Sequence, residues 1–196
     1  TYTIIERASA HGSEAVERLP HSQLAVQVLS FAHVHAAQFG GAIFAESSIV
    51  HLSHVTIADA NVTASLLSAG GGLALNSSEA TLVNTQLEHC RAETRGGGLF
   101  ATRTLFHISQ GAFTSNSAPD GAALLYESIR SVNDPASTIS DARFEANLAS
   151  SSEGSIIGFI QARIEWSCQP GQYMPTTDLI RHGDFYGAQG DVPLAR

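Results

Sequence analysis

The chain has 196 residues, 43% of them hydrophobic and 14% charged, with a formal charge of -8. That length and apolar content support one domain with a sizeable core and exclude wholesale disorder. The ten basic residues are all arginine, and an acidic chain without a basic cluster is a poor phosphate binder, which excludes nucleic acid as an expected partner.

In chain order, Thr1–Gln23 comes first: Thr1–Ile5 reads as a strand and Ser13–Leu19 as a helical turn opened by Ser13. Residues 1–23 are therefore expected to form an N-terminal coil or cap, because a solenoid exposes its first coil as an open edge. The most apolar stretch, Leu24–Ala45, is interrupted by Gln27, His33, His35 and Gln38, so no membrane-spanning segment is expected. The sequence opens on Thr1, which suggests a mature form or part of a longer secreted or membrane-associated precursor.

A repeat then dominates residues 24–166. Five segments align: Gly40-Gly41-Ala42-Ile43-Phe44, Gly70-Gly71-Gly72-Leu73-Ala74, Gly96-Gly97-Gly98-Leu99-Phe100, Asp120-Gly121-Ala122-Ala123-Leu124 and Glu153-Gly154-Ser155-Ile156-Ile157. Each follows a six-residue element: Phe31–Ala36, Ile57–Val62, Leu87–Ala92, Phe113–Ala118 and Phe144–Ala149. Its first residue is large and apolar and its sixth is Ala or Val. Short runs rich in branched and aromatic residues come after the glycines, at Ile49–Leu52, Ala80–Val83 and Leu105–Ile108. The large residue suits a strand pointing inward, the small one a tight corner, and the glycines a backbone turn with positive φ. About three short strands per coil are expected, stacked about 4.8 Å apart. Asn116 and Asn147 share the fourth column of the element, with Cys90, Ala60 and Val34. Stacked, they would open an asparagine ladder, each amide bonding backbone in the next coil. The competing α/β arrangement needs crossover helices of about a dozen residues, and the strands lie too close together for them.

These elements, Phe113-Thr114-Ser115-Asn116-Ser117-Ala118 and Gly40-Gly41-Ala42-Ile43-Phe44 above all, resemble the FxxNxA and GGAI repeats of polymorphic outer-membrane-type surface proteins. The resemblance covers Leu24–Trp166 and implies an all-β, pectin-lyase-like fold. That fold is a right-handed parallel β-helix of about five coils with short terminal extensions. The chain departs from the pattern where three coils lack the asparagine and two lack the double glycine. Beyond it, Trp166–Pro175 and Gly183–Gly187 resemble the start of an ephrin-receptor-like cysteine-rich module. Ala188 and Val192 stand near the places of its next cysteines, so residues 167–196 read as an extended tail.

Candidate chemistry is sparse. Lyases and glycosidases of this class use carboxylates clustered on one face. Asp59, Asp120 and Asp141 lie near repeat positions but in different columns, so no catalytic residue is expected, and no cofactor. His33, Asp59 and His89 all fall two residues after the apolar anchor and would stack as a His-Asp-His column. Such a column could hold a divalent metal, though a surface row of polar side chains is the simpler reading. His51 and His54 read as solvent-facing. Cys90 reads as a small buried hydrophobe in the ladder column, and its flanks differ from those of Cys168, so the two are not expected to pair. Asn61-Val62-Thr63 and Asn76-Ser77-Ser78 are glycosylation sequons. The reading is a non-enzymatic module of a surface, extracellular or lumenal protein, acting in adhesion or as a piece of a larger assembly. Its expected partners are other protein subunits or copies of that assembly, with carbohydrate a second candidate. A carbohydrate-binding or polysaccharide-degrading β-helix is the alternative.

Overall fold

The computed structural model describes residues 2–6, 9–12, 16–20, 23–36, 39–63, 68–128, 135–151, 155–160, 164–167 and 180–183. They form an all-β parallel solenoid of about four turns, close to the five coils expected, with no α-helix among the described residues. Each turn carries four strand positions rather than three. Face one stacks the starts of Gln23–Ala36 and Ile49–Ala58 with Glu79–Val83, Leu105–Ser109, Ser137–Ser140 and Ile164–Ser167. Face two stacks the later parts of the same two strands with Gln86–Glu88, Ala112–Thr114 and Arg143–Glu145. Face three is the short ladder of His35–Ala36, Asn61–Val62, Arg91–Ala92, Ser117–Ala118 and Leu148–Ala149. Face four stacks Val16–Pro20, Ile43–Glu46, Leu73–Asn76, Leu99–Thr102, Leu124–Glu127, Ile157–Ile160 and Ile180–Gly183.

Alternation fixes what points inward. Leu24, Val50, Ala80 and Phe106 stack on face one, and so do Leu52, Leu82, Ile108 and Ile139. Phe31, Ile57, Leu87, Phe113 and Phe144 form the inner column of face two, with the Phe113 and Phe144 rings stacked at 4.8 Å. Ile43, Leu73, Leu99, Leu124 and Ile157 close the core from face four, all 0% exposed. Each buried Leu, Ile or Phe contributes about 1.5–3 kcal/mol, and small residues such as Ala45 and Ala101 make room for large neighbours.

Between the faces the chain turns at left-handed corners. Gly40, Gly70, Gly96 and Gly121 form one corner column, with φ of 58–70°. The other three use residues with side chains: His33, Asp59, His89, Ser115 and Ala146; Ser47, Ser77 and Arg103; His54, Asn84, Gln110 and Asp141. The left-handed conformation costs an L-residue about 1–2 kcal/mol, least for Asn, Asp and His, whose short polar side chains bond locally. The corner at His54, φ 54°, bends Ile49–Ala58 where later coils break into two strands, which is why four positions appear instead of three.

The register corrects one detail of the repeat. Leu99 pairs with Leu124 and Leu124 with Ile157, so the fourth and fifth segments each start one residue later, and Gly121 rather than Asp120 is the equivalent of Gly96. A slip of one residue exchanges the faces of a strand: Leu124 points inward and Leu125 outward. Val16–Pro20 is a strand where a helical turn was expected, because pairing with Ile43–Glu46 overrides the local signal.

Candidate functional site

The inner corners hold two hydrogen-bonded ladders. Asn147 Oδ1 accepts from the Asn116 amide at 2.9 Å, and its Nδ2 donates to the Phe113 carbonyl at 2.8 Å. Asn116 repeats this one coil earlier, accepting from the Cys90 amide at 2.9 Å and donating to the Leu87 carbonyl at 2.8 Å. Cys90 takes the next place: its Sγ donates to the Ile57 carbonyl at 3.6 Å and the Glu88 carbonyl at 3.5 Å. The thiol thus stands in for an amide as donor, and burial pushes its pKa up to about 12, so it is not a nucleophile at neutral pH. Of the cysteine-module resemblance, residues 168–175, with Cys168, and 184–187 lie outside the described residues, as do residues 188–196.

The second ladder was not anticipated. Ser78 Oγ accepts from the Ser48 amide at 3.1 Å, and Thr104 Oγ1 from the Ser78 amide at 3.3 Å. Each hydroxyl donates to the carbonyl two residues before it, on Glu46, Asn76 and Thr102, at 2.8–2.9 Å. Its signal was present in the sequence: a hydroxyl two residues after the last strand position in Glu46-Ser47-Ser48, Asn76-Ser77-Ser78 and Thr102-Arg103-Thr104.

On the outside, His33, Asp59 and His89 occupy one corner column, at φ of 55°, 52° and 53°. His33 Nδ1 lies 3.6 Å from Asp59 Oδ2, with both side chains well exposed. Among the described residues no three His, Cys, Asp or Glu side chains come together to hold a metal ion. The preference of His and Asp for the left-handed corner explains this column without a ligand. His51 and His54 are exposed, and His51, Thr81, His107 and Thr138 form an outward row on face one, with His107 Nδ1 2.8 Å from Thr138 Oγ1.

The carboxylates are dispersed. Asp120 Oδ1 accepts from the Gly121 and Ser155 amides at 2.9 and 3.1 Å and from Ser155 Oγ at 2.6 Å, tying two coils together. Asp141 sits at a corner, and Glu127 pairs with Arg95 at 2.5 Å. Asp134, Asp178, Asp184 and Asp191 lie outside the described residues. One outer column of face four is apolar too: Phe100 and Leu125 are buried against Ala69 and Phe39, and Phe39 stacks on Phe44 at 5.4 Å.

Of the sequons, Asn61 lies on face three between His35 and Arg91, and Asn76 ends a strand of face four. A shallow open groove of about 450 Å³ runs along face three, between Arg91 and Glu93 of one coil, Ser117 and Pro119 of the next, and Leu148 and Ser150 of the third. Leu148 is 65% exposed there.

The fold and its ladders define the chain as a parallel β-solenoid. No family model, curated protein or solved structure matches it. The resemblance to surface-protein repeats therefore stands on the repeat residues themselves.

Proposed function

We propose that this solenoid is a non-enzymatic module of a surface, extracellular or lumenal protein of the polymorphic outer-membrane type, acting in adhesion or as a piece of a larger assembly. The observation that carries the reading is where the polar chemistry sits. The inner amides and hydroxyls are engaged in ladders that join coil to coil. The outer column of face three changes residue type at every step, through His35, Asn61, Arg91, Ser117 and Leu148. Among the described residues no column sets two carboxylates on neighbouring coils, the arrangement that glycoside or uronate chemistry would use. Long flat faces suit contact with another protein.

The test is a panel of polysaccharides, including polygalacturonate with and without calcium. The expected result is no change in reducing ends or unsaturated products. Turnover of any polymer would overturn the proposal and favour the carbohydrate-active alternative.

A further inference from the structure

The two sequons differ in what the fold asks of them. In Asn76-Ser77-Ser78 every polar side chain is in use. Asn76 Nδ2 donates to Glu46 Oε1 at 3.1 Å, and its Oδ1 accepts from Ser77 Oγ at 3.1 Å and Arg103 Nη2 at 3.2 Å. Ser77 turns the chain at φ 50°, and Ser78 is the buried middle rung of the hydroxyl ladder. The folding requirements of this corner account for the whole triplet. In Asn61-Val62-Thr63 only Val62 is buried. Thr63 is exposed, and neither its hydroxyl nor the Asn61 amide bonds another described side chain. Among the described residues nothing requires an amide and a hydroxyl at those two places.

We infer that Asn61 carries an N-linked oligosaccharide and that Asn76 does not, an inference that rests on the surface or lumenal location proposed above. In the transfer, Asn61 Nδ2 attacks the anomeric carbon of a lipid-diphosphate-linked oligosaccharide. The new C–N bond replaces the C–O bond to phosphate, the lipid diphosphate leaves, and the amide proton passes to base. The fold accepts the sugar at Asn61, on the outer side of face three. At Asn76 a sugar on Nδ2 would displace Glu46 and disturb the corner whose next residue anchors the ladder, so modified chains would fold poorly and be lost from the secreted product.

The experiment places the chain behind a foreign signal peptide in a eukaryotic host and analyses the secreted protein. Peptide N-glycosidase treatment and mass spectrometry read occupancy at each asparagine. The expected result is one glycan, lost in both Asn61→Gln and Thr63→Ala and retained in Asn76→Gln. A secreted chain without a glycan, a glycan lost in Asn76→Gln, or two glycans would overturn the assignment. Because the foreign signal supplies entry to the lumen, this result does not depend on native location. A bare Asn61 in protein from its source, beside an occupied Asn61 in the host, would overturn the claim that the native chain carries the glycan and leave only the preference of the fold for Asn61 over Asn76 standing.

Discussion

Removing the Asn116 side chain tests the ladder that binds the coils. Asn116 is 0% exposed. Asn116→Ala leaves the Cys90 amide without its acceptor and removes the donor to the Leu87 carbonyl. A buried polar group left unpaired costs about 1–3 kcal/mol, and the cavity adds to that, so the expected loss is about 2–5 kcal/mol. For a domain of this size that is a fall in Tm of roughly 5–15 °C. Urea titration followed by far-ultraviolet circular dichroism and tryptophan fluorescence measures it. Asn147→Ala, at a partly buried rung, is expected to cost less. A loss under about 1 kcal/mol for Asn116→Ala would show that the ladder contributes little net stability and would refute the reasoning.

Other outcomes follow from the same geometry. Ala146 stands at φ 50° in an exposed corner, so Ala146→Gly should stabilise by about 1 kcal/mol, read by the same titration. A Cβ on Gly71 would lie 2.2 Å from the Gly97 carbonyl oxygen and 2.5 Å from the Arg91 backbone, so Gly71→Ala should abolish cooperative unfolding or cost more than about 3 kcal/mol. The Cys90 thiol, raised by burial from 9.0 to about 12, stays protonated in the fold while the unfolded chain ionises. Stability should therefore fall as pH rises from 9.0 toward 12, and Cys90→Ala should lessen that dependence. Native Cys90 should resist alkylating reagents that label it rapidly in urea.

Much of this fold was legible in the sequence because two signals repeat in phase. Phe31, Ile57, Leu87, Phe113 and Phe144 mark the inner column of face two, and glycine marks one corner of each coil. The other corners were hidden because a left-handed turn accepts His, Asp, Asn, Ser, Gln, Arg and Ala, which share no pattern along the chain. His33, Asp59 and His89 share their spacing because each stands at the same left-handed corner of its coil. The hydroxyl ladder was hidden in serine-rich corners, where Ser48 and Ser78 look like ordinary turn residues until their amide partners are seen. The one-residue shift of the fourth and fifth segments was hidden because, read along the chain, Asp120 and Glu153 fall where earlier segments have their first glycine, and only strand pairing sets Leu124 against Leu99 and Ile157.

The most direct test of the proposed role is photo-crosslinking in the source cell from unnatural side chains placed on the outer faces. Lysine-directed reagents are unsuitable, since the chain has no lysine. Probes at Ser117 on face three and Thr138 on face one sit on outward columns of the stack. The account predicts adducts to a defined protein partner, or to another copy of the chain, from at least one face. A chain that forms no adduct from either face and sediments as an isolated monomer would contradict it.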